Sequence, residues 1–152
     1  VAEDLTNGYG GAIAMRSSDY LIDGCIFESN SAFAHGGALA TESSTGIITG
    51  CSFVANIAYQ KGGSMYLLTS TATIERSLFQ LNIAKGDADI MYSSGSTVNI
   101  TNTYMSNYTL PAGASKEVVD GSSSPVSCTS ACRAGKYGLC SKVDTCWSCV
   151  FD

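Results

Sequence analysis

The sequence predicts an all-β protein in which short strands stack coil upon coil, and three observations carry that expectation. The first is a repeat: residues 10–35 and 36–61 agree at 12 of 26 aligned positions, a third copy fills 62–87, and a decayed fourth runs over 88–110 without insertion. A fixed period of this length is the mark of stacked supersecondary units. The second is that each copy carries three apolar columns. Ile22, Ile48, Ile74 and Ile100 form one, Phe27, Phe53, Phe79 and Met105 another, and Ile13, Leu39, Met65 and Met91 a third. The third is what separates the columns: Gly, Ser and Asn breaks inside runs of β-favouring residues, with no apolar spacing at three and four that would make a helix. Three short strands and three turns per copy, stacked like on like, make a parallel β-helix of about four 26-residue coils.

Residues 1–9 are polar and end at the first Gly-Gly, and they read as a linker or cap for the first coil, or as a strand donated to a neighbouring subunit. The β-helix itself spans 10–110. Its Gly-Gly pairs, Gly10-Gly11, Gly36-Gly37 and Gly62-Gly63, fall where the chain turns into the next strand, a place for positive φ. Asn30, Asn56 and Asn82 form a column three residues after each Phe, expected to tolerate left-handed backbone and to hydrogen-bond from coil to coil as an amide ladder. Ala32, Ala58 and Ala84 follow, where a small side chain lets a corner close.

These half-motifs, Gly-Gly-Ala at 10–12 and 36–38 and F-x-x-N at Phe27/Asn30, Phe53/Asn56 and Phe79/Asn82, resemble the repeats of the polymorphic outer membrane protein family. The resemblance covers about residues 8–109 and implies a right-handed β-helix of the pectate-lyase-like kind on a cell surface. The fourth copy departs from it, with Ala88-Asp89 in place of Gly-Gly and Tyr108 where Asn is expected.

Four coils reach only about 19 Å along the axis at a strand spacing of about 4.8 Å. Both ends of such a stack expose unpaired backbone groups and apolar side chains, so the physics favours end-to-end association, with itself or with more of a longer chain. The balance of 13 acidic against 8 basic residues argues against a nucleic-acid partner. No run of 18 apolar residues is present to cross a membrane as a helix, and Val1 reads as a processed or internal start.

Pro111 to Ser127 is rich in Gly, Ser and Pro and reads as an extended connector, with Val118-Val119 pinning it to a surface. Asn99-Ile100-Thr101 and Asn107-Tyr108-Thr109 are N-glycosylation acceptors, and Asn99, beside an inward Ile, is expected to face outward. Residues 128–152 hold Cys128, Cys132, Cys140, Cys146 and Cys149, a density that reads as a disulfide-stapled module of an oxidising compartment. A zinc site fits worse, because no His is near the closing C-x-x-C and a second close pair is missing. The run Cys132 to Tyr137 followed by Cys140, Cys146 and Cys149 resembles ephrin-receptor-like cysteine-rich modules, which implies an extracellular spacer. Cys25 and Cys51 share one repeat column and admit two readings, buried free thiols or a bridge between coils.

Catalysis finds little support. The charged columns do not persist from coil to coil, His35 reads as an exposed turn residue in a column with Tyr9, Lys61 and Asp87, and Asp87 with Asp89 makes a poor calcium site. The expectation is a non-enzymatic extracellular or cell-surface protein without cofactor, catalytic or metal residues, which self-associates head to tail into a filament or appendage. The alternative is a carbohydrate- or receptor-binding module of a larger adhesin, which a ladder of exposed aromatics, such as Tyr66 and Tyr92, would favour.

Overall fold

The computed structural model describes residues 8–106 and, for their backbone, 118–120 and 126–129. The first coil consists of β1 (Ile13–Arg16), β2 (Asp19–Asp23), β3 (Ile26–Glu28) and β4 (Ser31–Ala32). The second repeats it as β5 (Leu39–Glu42), β6 (Thr45–Thr49), β7 (Ser52–Val54) and β8 (Ile57–Ala58). The third is β9 (Met65–Leu68), β10 (Thr71–Glu75), β11 (Leu78–Gln80) and β12 (Ile83–Ala84). The fourth supplies β13 (Met91–Ser94), β14 (Thr97–Thr101) and β15 (Tyr104–Ser106). Every pairing is parallel, and through these coils residue pairs with the residue one repeat on: Ile13↔Leu39, Ile22↔Ile48, Phe27↔Phe53. The architecture is a parallel β-helix, as the repeat requires.

Each complete coil has four strands, not three. The fourth sheet, β12-β8-β4, is built from two-residue strands in which Ser31 pairs with Ile57 and Ala32 with Ala58, where the sequence had promised only a corner. Two residues are too few to show the alternation that marks a strand.

The core fills the bore. Phe53, Phe79, Ile48, Ile74, Leu39 and Met65 are fully buried, and the Phe rings stack nearly parallel, Phe27 on Phe53 at 4.6 Å and Phe53 on Phe79 at 4.7 Å between centroids. Burying each such side chain contributes about 2–3 kcal/mol, which lets strands of two to five residues hold their place. Ile22 and Phe27 in the first coil retain slight exposure that their successors lack.

Four corners separate the strands, and each turns on one residue of positive φ. In the second coil these are Gly36 (φ 66), Ser43 (φ 50), Gly50 (φ 61) and Ala55 (φ 55). The left-handed residue of the Asn corner is therefore the one before Asn, correcting the expectation for Asn itself. The two glycines of each Gly-Gly also differ in purpose. The first takes the positive φ, while a Cβ on the second, Gly37, would meet Gly63 O and the Ile57 backbone N at 2.7 Å.

The pairing does not stop at residue 110. β16 (Val118–Asp120) lies beside β13 with Met91↔Val118, and β17 (Val126–Thr129) beside β14 with Ile100↔Cys128. The stretch whose composition resembles a connector thus contributes strands to a fifth turn, and Cys128 holds the register position of the Ile column. Residues 1–7, Asn107 and the tail cysteines Cys132, Cys140, Cys146 and Cys149 lie outside the described residues.

Candidate functional site

The functional candidate is the face of the first coil, and it is built by the corners. At three of the four corners the residue after the left-handed position carries a side chain that accepts the backbone N–H of its counterpart in the coil before. Asn30 N–H and Asn30 Nδ2 both donate to Asn56 Oδ1, at 3.0 and 2.9 Å, and Asn56 repeats the pair onto Asn82 at the same distances. Each amide also ties its own coil to the preceding one, Asn56 Nδ2 donating to Phe27 O at 3.0 Å and Asn82 Nδ2 to Phe53 O at 2.9 Å. Asn30, Asn56 and Asn82 form the expected ladder, with Asn56 and Asn82 fully buried.

Two further ladders share its direction. Ser18 N–H donates to Ser44 Oγ, Ser44 N–H to Ser70 Oγ and Ser70 N–H to Ser96 Oγ, at 3.2, 3.2 and 2.9 Å. Cys25 N–H donates to Cys51 Sγ at 3.4 Å, Cys51 N–H to Ser77 Oγ at 3.1 Å and Ser77 N–H to Thr103 Oγ1 at 3.3 Å. The Ser ladder was available to sequence reasoning, since Ser18, Ser44, Ser70 and Ser96 occupy one column in every copy. A left-handed non-glycine residue costs roughly 1–2 kcal/mol, and the ladder bond that follows it offsets that cost.

All three ladders run the same way, from an N–H in one coil to a side-chain acceptor in the next. They begin at Asn30, Ser18 and Cys25, whose own acceptor atoms receive no such N–H among the described residues. Among the described residues β1, β2, β3 and β4 are likewise the outer strands of their sheets. Among the described residues the first coil thus presents the edges of β1 to β4 with side-chain acceptors in the geometry that, one coil on, receives a coil. At one corner Gly8 and Tyr9 already lie on it, Ala34 N–H donating to Gly8 O at 2.8 Å and Tyr9 packing on His35.

The model of the right-handed beta helix region matches residues 3–131. The chain belongs to this family. The span of the match includes β16 and β17, in keeping with a helix that continues beyond its fourth coil. No curated protein and no solved structure matches the chain.

The remaining candidates of this beta helix serve the stack. His35 is not an exposed turn residue: it is 9% exposed, with its ring against Tyr9 at 4.9 Å and Tyr66 at 4.5 Å. Tyr66 and Tyr92 stack at 5.5 Å, and Lys61 lies over Tyr92, its Nζ 4.2 Å from the ring centre and donating to Tyr92 Oη at 3.1 Å. This ladder spends its ring faces on neighbouring coils. Asp89 is buried and accepts the Ala84 N–H through Oδ1 at 2.8 Å, and Lys61 bridges its backbone to His35 and Asp87. Among the described residues no group of three or more His, Cys, Asp or Glu is placed to hold a metal. Cys25 and Cys51 are both free thiols, and burial pushes the Cys51 thiol up. Asn99 is exposed and faces outward beside the buried Ile100, as expected.

Proposed function

We propose that this protein is a non-catalytic, extracellular structural element whose beta helix associates end to end with further copies of itself, building a filament or elongated surface appendage. The observation that carries this reading is the common polarity of the three ladders, which leaves Asn30 Oδ1, Ser18 Oγ and Cys25 Sγ as acceptors on a coil that keeps the full repeat motif. A stacked coil satisfies them with its backbone N–H groups and removes the edges of β1, β2, β3 and β4 from water. The likeness of the repeats to polymorphic outer membrane proteins, and of the tail to ephrin-receptor-like modules, supports an extracellular place, where N-linked glycan on Asn99 is expected.

A second reading, a carbohydrate- or receptor-binding module of a larger adhesin, draws on Phe33, 77% exposed, and Tyr59, 48% exposed. It is the weaker, because these rings stack on each other at 6.0 Å and Lys85 lies 4.0 Å over Tyr59, so one free ring face remains where sugar stacking needs several.

Electron microscopy and sedimentation of the full chain, with and without reductant, test the proposal. Filaments of regular axial repeat are expected, and their loss on reduction assigns the joint to Cys128, Cys132, Cys140, Cys146 and Cys149. A chain that stays monomeric at high concentration overturns the filament reading and turns the test to a glycan screen.

A further inference from the structure

The Cys25–Cys51–Ser77–Thr103 ladder asks only for an acceptor at each rung. Ser77 and Thr103 meet that need with hydroxyls, which accept an N–H better than sulfur does. Sulfur at the first two rungs therefore has no advantage within the ladder, and the geometry around it is of another kind.

The two residues stand one repeat apart at the same corner, and the backbone holds them in register. Gly24 N–H donates to Thr49 O at 3.0 Å and Ser52 N–H to Cys25 O at 2.9 Å, on either side of the pair. Corresponding Cα atoms of adjacent coils lie about 4.8 Å apart, within the window of about 4.4–6.8 Å that a disulfide spans. Cys51 Sγ already leans toward the first coil, at 3.4 Å from Cys25 N and 3.5 Å from Ile22 O. Cys25 Sγ rests on Asp23 O at 3.3 Å, on an exposed residue, and has room to turn. A Cβ placed on the neighbouring Gly24 would touch nothing within 4 Å, so solvent reaches this corner freely.

We propose that Cys25 and Cys51 are a redox-active pair whose oxidation to a disulfide locks the first coil onto the second. The oxidant is a small disulfide of the glutathione type. The Cys25 thiolate attacks one of its sulfurs, forming a mixed disulfide and releasing one small thiol. The Cys51 sulfur then attacks Cys25 Sγ and expels the second small thiol. Two protein thiols are oxidised to one disulfide, one small disulfide is reduced to two thiols, and protons balance. The order follows from access: Cys51 is 2% exposed and its thiol is disfavoured from ionising by burial, so the exposed Cys25 meets the oxidant first. The bond closes a loop of 26 residues and ties down the coil whose strands pair on only one side among the described residues.

The test uses the full chain equilibrated in graded ratios of oxidised to reduced glutathione, alkylated, and cleaved after glutamate. Cleavage at Glu28 and Glu42 separates Cys25 from Cys51, and cleavage at Glu117 separates both from the tail cysteines. The expected product is the 4–28 fragment joined to the 43–75 fragment, two hydrogens lighter than the sum of the free peptides, with an unfolding temperature raised by roughly 5–10 °C. In Cys25→Ser, at an exposed position, the fold persists and that rise disappears. Glutathione remaining on Cys25 while Cys51 stays open to alkylation after equilibrium overturns the pairing. So does the absence of the joined fragments at a ratio where the tail cysteines have oxidised. A joined product without a thermal gain, or an equal gain in Cys25→Ser, overturns the locking.

Discussion

The two ends of the stack finish differently. The first coil carries the full motif, Gly10-Gly11, Phe27 and Asn30, and its ladders stop with acceptors outward. The fourth drops the motif. Ala88 takes the positive φ that Gly took in the earlier coils, Met105 follows Phe79, and Asp89 occupies the column of Gly63, where a Cβ would meet the backbone O of Asp89 and Ile83 N at 2.6 Å. Among the described residues β12 is the last strand of its sheet, and the Asp89 carboxylate takes up the Ala84 N–H that a further strand would otherwise engage. At this corner a carboxylate engages the edge of β12, while the sheets of β13 and β14 run on into β16 and β17. The first coil keeps the interior motif out to its edge, and the proposed stacking rests on that edge.

The sharpest way to break this comparison is to remove one amide from the interior and one from the edge. Asn56→Ala leaves the Asn30 N–H, Phe27 O and Asn82 Oδ1 each short of a partner in or beside the core, and at about 1 kcal/mol apiece it should cost about 3 kcal/mol in urea unfolding. Asn30→Ala removes one donor from an Asn56 oxygen that keeps the Asn30 backbone N–H, and should cost about 1 kcal/mol. The gap should narrow in assembled filaments, where Asn30 becomes an interior rung. Equal costs in the dispersed chain would mean that the first coil is already covered.

The repeat made the stacking direction and the core columns legible, because identical residues one coil apart must share an environment. What it hid follows from physics on other scales. Ser31–Ala32 and Ile57–Ala58 are too short to declare a strand. His35 is buried by Tyr66, a partner contributed by the next coil, while its own neighbours in sequence gave no sign of cover. The fifth turn escaped because its register slips, by one residue at Met91↔Val118 and by two at Val98↔Val126, so the period fails just where pairing continues. The polarity of the ladders, on which the candidate site rests, depends on which side-chain atom faces which coil, and composition does not record that.

At the edge of β12, Asp89→Ala should cost about 1 kcal/mol, since it removes the carboxylate acceptor of the Ala84 N–H. Asp89→Asn keeps an acceptor and should recover most of that loss, and hydrogen exchange at Ala84 reports the edge directly. Protection at Ala84 unchanged in Asp89→Ala would show that the edge is covered by something other than this carboxylate, and the contrast between the ends would lose its basis.

The least effect at neutral pH, and the most local to the first coil, concerns Tyr20. Its ring lies over Gly46 in the next coil, a place where any Cβ would collide with it, and burial, only partly offset by the Thr41 hydroxyl, pushes the phenol up to about 12 from its ordinary 10.0. Below pH 10 the folded and unfolded chains both hold the proton, so Tyr20 contributes no pH dependence there. Between about 10 and 12 the unfolded chain releases it while the folded chain keeps it, and stability falls as pH rises through that window. The loss should be on the order of 1 kcal/mol once the partial exposure of the ring is allowed for. Unfolding curves from pH 8.5 to 11.5 should therefore fall more steeply for the native chain than for Tyr20→Phe, which keeps the ring and removes the titrating group, while the other tyrosines contribute equally to both. Parallel curves would mean that the phenol reaches water in the folded state. The first coil would then be looser than its register with the second implies, and poorly suited to receive another coil.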